Sequence, residues 1–181
     1  MMKTTWRIWA PAACLLTWAA PAPAIDGVAV SVGDGLGDVD MLRVSLLARQ
    51  HDHRADGAGW NLRIHWEFGL AYWRAYDADT GVEEIYNANV TPVLRFSPTH
   101  RTGIRPYVEF GLGFHVLTED RIEDRTLSST YHFGSHLGVG VVTSSDRRFD
   151  LGLRYQHLSN ASLETPNPGI DFAIARVGWM F

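Results

Sequence analysis

The chain has 181 residues with one cysteine, 20 acidic and 16 basic side chains and 46% hydrophobic residues, which is the size of one domain. After residue 24 it holds 14 Arg, no Lys and no Cys against all 20 acids, a net charge near −6 with neutral histidines. That balance excludes a nucleic-acid binder, and the missing thiols exclude a disulfide scaffold and a thiolate zinc site.

Residues 1–24 read as a secretory signal peptide, leaving residues 25–181 as one domain. Lys3 and Arg7 open the chain, an apolar stretch runs from Trp9 to Ala20, and Ala22-Pro23-Ala24 supplies the small-x-small cleavage site. Cys14 lacks a lipoprotein context, because Pro11 stands where a leucine is expected. Beyond this segment no run of ~18 apolar residues offers a transmembrane helix.

The domain shows period-two alternation instead, the strand signal, in eight runs: roughly 26–33, 39–50, 59–76, 82–97, 105–118, 129–144, 149–161 and 169–181, the first being the weakest. Between the first two lies Gly33-Asp34-Gly35-Leu36-Gly37-Asp38, with Asp40 just after it. It leads into no helix and its acids lack EF-hand spacing, so it reads as a hairpin loop and not as a calcium or phosphate loop. His51-Asp52-His53, at the far end of the second run, reads as a polar turn in preference to a metal site.

The third run alternates Trp60, Leu62, Ile64, Trp66, Phe68, Leu70 and Tyr72 with Asn61, Arg63, His65, Glu67, Gly69 and Ala71. Soluble strands are typically about 5–6 residues, well short of this run. The pattern returns with Val108, Phe110, Leu112, Phe114 and Val116, and again with Tyr131, Phe133, Ser135, Leu137, Val139 and Val141. One face is bulky and apolar, whereas the other is charged, polar or glycine. The bulky face would overfill a small interior, while Arg, Glu, His and Gly suit a packed polar one.

The sequence therefore predicts an all-β fold over residues 25–181, an eight-stranded antiparallel transmembrane β-barrel with its apolar face outward. Most runs reach the ~9–11 residues a membrane strand needs, and an even number closes the sheet without an edge in lipid. A soluble lipocalin-like barrel fits the length and aromatic content of these faces less well. His65, His115, His132, His136 and Glu109 share the inward side, predicting a buried polar network in preference to a metal cluster. Trp60, Trp73 and Trp179 are expected in the interfacial girdles. Short polar turns are expected at Ser97–Arg105 and Ser145–Arg148, and longer connections at Glu119–Ser128 and Ala161–Pro168. The terminal Phe181, after Val177 and Trp179, resembles the assembly signal of bacterial outer-membrane barrels and implies that membrane as the location.

With both termini periplasmic, the seventh run ends and the eighth begins at the outer surface. Phe149, Leu151, Leu153, Tyr155, His157 and Ser159 share the lipid-facing side of the seventh. A histidine and a serine on that stripe have a cost and no structural purpose, which marks a functional site. Their i, i+2 spacing puts base and hydroxyl on one face, the pairing of an activated nucleophile. Such a pair also needs an acid. Counting back from Phe181 puts Asp171 on the outward face of the neighbouring strand ~5 Å away, with Glu164 in the connecting loop as the alternative.

The stretch His157-Leu158-Ser159-Asn160-Ala161, then Leu163, then Pro166-Asn167-Pro168-Gly169-Ile170-Asp171, resembles the lipid A 3-O-deacylases of the Gram-negative outer membrane, the PagL family. The resemblance implies His157 as base and Ser159 as nucleophile. It implies Asp171 at the position of the family's glutamate, one methylene shorter. Asn160 matches an asparagine implicated in the oxyanion hole, Asn167 matches a second one in the loop, and Ala161 completes the motif as a substrate-positioning residue. The implied reaction is ester hydrolysis on lipid A or lipopolysaccharide, needing no cofactor or metal, and a homodimer is implied as well. The readings from other classes are a non-enzymatic small barrel for adhesion or membrane integrity and an outer-membrane phospholipase or esterase.

Overall fold

The computed structural model describes residues 24–35, 39–54, 59–76, 83–99, 103–122, 125–143 and 148–181, without the side chains of 49–54. The expected signal peptide, Leu36-Gly37-Asp38 of the glycine-rich hairpin, and the side chains of His51, Asp52 and His53 lie outside the described residues.

Long alternating runs become long strands: β1 (Ile25–Gly35), β2 (Val39–Arg54), β3 (Trp60–Ala75), β4 (Glu84–Pro98) and β5 (Ile104–Leu117). Two short strands come next, β6 (Arg121–Ile122) and β7 (Arg125–Thr126), then β8 (Tyr131–Thr143), β9 (Arg148–Ser159) and β10 (Ile170–Met180). All pairings are antiparallel, and the order β1-β10-β9-β8-β5-β4-β3-β2 closes into a barrel. β6 and β7 form a separate hairpin in the long connection after β5, a feature too short to leave a periodic signal.

The outer wall carries Val32, Val44, Leu70, Phe110, Leu112, Leu137, Leu153 and Val177, all exposed, whereas the alternate positions hold buried charges. Such a continuous apolar exterior around a polar lumen is the arrangement of a membrane-spanning barrel.

The interior has two layers. In one, toward the end that carries the N- and C-terminal residues of the barrel, Arg154 bonds Glu67 twice at 2.7 Å and Glu109 at 2.6 Å. Arg95 donates to Glu109 at 2.8 Å and to Asp150 at 2.8 Å, with its guanidinium 3.8 Å from the Tyr107 ring centroid. Arg176 and Tyr107 complete the shell of Asp150, each at 2.6 Å. Charges removed from water are tolerable here because each carboxylate meets several donors in favourable geometry. His65, His115, His132 and His136 are buried on this inward side, as the alternation predicts. Among the described residues no group of three or more His, Cys, Asp or Glu is gathered as for a metal.

The second layer is apolar and departs from the polar interior that the alternation predicts. At the opposite end Trp73, Ile85, Leu158, Ile170, Phe172 and Ile174 form a core, closed over by Ile122 and Leu127 from around the β6–β7 hairpin. Trp73 is accordingly fully buried against Phe172, ring centroids 4.9 Å apart, and not in a girdle. Its odd position puts it in the inward phase of β3, and strand phase overrides the interfacial preference of tryptophan. Trp60 and Trp179 do face outward.

Glu67→Ala is expected to destabilise the barrel by about 3 kcal/mol, because it removes two of the three carboxylate hydrogen bonds of the buried Arg154 and one of the two carboxylates that face Arg176, leaving only Glu109 and Asp150 as their partners. Urea-induced unfolding in lipid vesicles measures this.

Candidate active site

The apolar layer backs the ends of β9 and β10, so the outward side chains there stand on a packed floor. The register pairs Asp171 with His157 directly, and the His157 Nδ1 to Asp171 Oδ1 distance is 2.7 Å. A ring nitrogen facing a carboxylate carries the proton, which leaves the Nε2 lone pair free to accept one. Both side chains are part-exposed on the membrane-facing wall. Glu164, the alternative acid, instead accepts the Tyr131 hydroxyl at 2.8 Å. The Tyr155 hydroxyl, one row below His157, faces Asp171.

Ser159 is the last residue of β9 and shares the outward face with His157. Among the described residues no hydrogen bond joins its hydroxyl to the imidazole. Such bonds are commonly long before substrate tightens the site. The ring nonetheless reaches up to the level of the serine. A Cβ added at Gly169 would lie 2.8 Å from His157 Cε1 and 3.3 Å from Nε2. Gly169 lies one step beyond the Ile170–Leu158 pair, level with Ser159, so the free edge of the imidazole points to the serine's level.

Gly169 is required twice over. Its φ of +66° favours glycine, and any side chain would meet the His157 ring and the Leu158 carbonyl. Gly169→Ala is expected to lower kcat about 100-fold by displacing the imidazole while the barrel remains folded, as a kinetic assay beside a far-UV spectrum reads.

The loop after Ser159 is tied by its two asparagines. The Asn160 N–H donates to Asn167 Oδ1 at 3.1 Å, and the Asn160 side-chain amide donates to the Glu164 carbonyl at 3.0 Å. Asn160 is fully buried, and the hydrogen bonds of its N–H and its side-chain amide hold the turn that follows the serine. Ala161 and Ser162 take left-handed conformations, φ 55° and 61°, which reverse the chain directly after the serine. The Ala161 N–H meets no acceptor among the described residues. Asn167 Nδ2 has only a 3.5 Å contact with Ser162 Oγ, leaving it available beside the loop.

Sequence reasoning missed one hydroxyl. Ser135 on β8 is the register partner of His157, so Ser135, His157 and Asp171 form one row across three strands. The signal was present as a polar break in an outward stripe between Phe133 and Leu137. Register alone would let either serine serve His157, but the turn of the ring toward Gly169 favours Ser159.

The family model described as lipid A 3-O-deacylase (PagL) matches residues 41–180, from β2 through β10. The chain belongs to this family. The match takes in His157, Ser159 and Asp171 together with the loop between them. Among PagL relatives, the lipid A deacylase PagL of Bordetella bronchiseptica is 34% identical over 119 residues, covering 66% of this chain and 63% of that protein. The lipid A deacylase PagL of Pseudomonas aeruginosa is 31% identical over 107 residues, 59% of this chain and 58% of its own length. The matched stretches thus span under two thirds of either relative. The crystal structure of the outer membrane enzyme PagL has a TM-score of 0.78 at 23% identity, covering 86% of this chain and 99% of that one. The N-terminal β-barrel domain of Pseudomonas aeruginosa OprF has a TM-score of 0.50 at 16% identity, covering 86% of this chain and 96% of that one. These two likenesses are of fold.

Proposed function

We propose that the protein is a lipid A 3-O-deacylase of the outer membrane, exported by residues 1–24 and acting as a serine ester hydrolase. The observation that carries the reading is the 2.7 Å His157–Asp171 hydrogen bond on the membrane-facing wall, with Ser159 on the same face. A buried polar network needs no such pair outside the barrel, and a non-enzymatic barrel has no use for it.

In the proposed reaction Ser159 Oγ attacks the ester carbonyl while His157 Nε2 takes its proton. Asp171 keeps the other ring nitrogen protonated and stabilises the imidazolium. The Ala161 N–H and Asn167 Nδ2 are the donors for the oxyanion, each worth about 3 kcal/mol in related chemistry. The intermediate collapses as His157 returns the proton to the sugar oxygen, leaving an acyl-serine. Water then attacks, again through His157, and the 3-hydroxy fatty acid departs. The site suits a substrate whose tails stay in lipid, since an outward-facing nucleophile reaches the ester without extracting the molecule. The homodimer implied by the family resemblance is part of this proposal, and sedimentation of the detergent-solubilised protein reads it.

A phospholipase would share this chemistry. Separate incubations with lipid A vesicles and glycerophospholipid vesicles divide the two readings: the proposal expects fatty acid release from the first alone, and release from the second alone would replace it with the phospholipase.

A further inference from the structure

The scissile acyl chain must descend from Ser159 into the bilayer past the row that holds Ser135, His157 and Asp171. On the β10 side that path is occupied, because the imidazole leans to Asp171 and its edge lies against Gly169. The β8 side carries Phe133 across from Ser159 and then Ser135 across from His157. Directly below, an apolar groove on the outer wall begins with Leu137 and Tyr155 and continues over Leu153, Phe110, Val108 and Phe96. Ser135 is thus a hydroxyl set between the nucleophile and the groove, in a stripe otherwise apolar from Phe133 to Val141. Its hydroxyl has no hydrogen-bond partner among the described residues, and a polar group facing lipid is costly unless a ligand meets it.

We infer that Ser135 is a specificity residue that hydrogen-bonds the 3-hydroxyl of the acyl chain. With the carbonyl carbon at Ser159 Oγ, the hydroxylated carbon lies two carbons deeper, between the rows of Ser159 and Ser135. Cross-strand and diagonal neighbours on one face lie within ~5–8 Å, which a serine and a substrate hydroxyl bridge together. The inference rests on the deacylase reading for the direction of the chain and selects hydroxylated acyl esters over plain ones.

The test compares p-nitrophenyl 3-hydroxydecanoate with p-nitrophenyl decanoate, hydrolysed by the refolded full barrel in detergent. Wild type is expected to favour the hydroxylated ester about fivefold in kcat/KM, the value of one net hydrogen bond. Ser135→Ala is expected to bring that ratio to about 1, and Ser135→Thr, which keeps a hydroxyl, to restore it. A wild-type ratio near 1, or a ratio unchanged in Ser135→Ala, would overturn the inference. Equal loss on both esters in Ser135→Ala would overturn it too, since the serine would then act on His157. Preferential ester hydrolysis by a barrel that leaves lipid A intact would sink the lipid A reading and leave Ser135 its role. Inertness toward both esters would sink both.

Discussion

Ser159→Ala is expected to lower kcat for ester hydrolysis by about 10⁶-fold while the barrel folds normally. The side chain stands at the end of β9 on the outer face and contributes nothing to the charge network or the apolar layer, so its loss removes chemistry alone. Labelling by a fluorophosphonate checks the assignment independently of any lipid. The serine oxygen displaces fluoride at phosphorus, its proton passes to His157, and the adduct mass maps to the peptide bearing Ser159. Adduct on Ser135, which shares a row with His157, would reassign the nucleophile.

Asp171→Asn is expected to lower kcat about 10⁴-fold with KM little changed. The asparagine amide can donate to Nδ1, which moves the ring proton to Nε2 and removes the base from the serine's side. Asp171→Glu keeps a carboxylate at the position where the family resemblance implies glutamate, and is expected to retain activity within about tenfold, as loss of tautomer control and not of geometry dominates the asparagine variant. Steady-state kinetics on one ester substrate reads both. Loss of activity in Glu164→Gln with Asp171→Asn unaffected would transfer the role of acid to Glu164, whose carboxylate in this structure accepts from Tyr131.

The barrel was legible because lipid outside and charge inside impose strict alternation over lengths that soluble strands do not reach. Arg154, Glu109 and Glu67 fall in the inward phase of their strands, and the structure joins them there. Trp73 shows where residue type misled: the phase of β3 puts it inward, and only its being tryptophan pointed outward. The apolar layer was concealed for a related reason. Leu158, Ile170, Phe172 and Ile174 are apolar residues in the inward phase, which a rule of polar interiors discounts. For the site, strand phase was enough to put His157, Ser159 and Asp171 on one face. Register was not readable, since it depends on how the 160–169 loop folds around Asn160 and Asn167. That is why the choice between Asp171 and Glu164 stayed open at the level of sequence, and why the row containing Ser135 emerged only with β8 paired to β9.

The most direct measurement is mass spectrometry of lipid A after incubation with the refolded barrel, run beside Ser159→Ala. Wild type is expected to remove one 3-hydroxyacyl group from position 3, with recovery of the matching free 3-hydroxy fatty acid, and the variant to leave the lipid unchanged. An unchanged spectrum from folded wild type, or equal deacylation by Ser159→Ala, would contradict this mechanism.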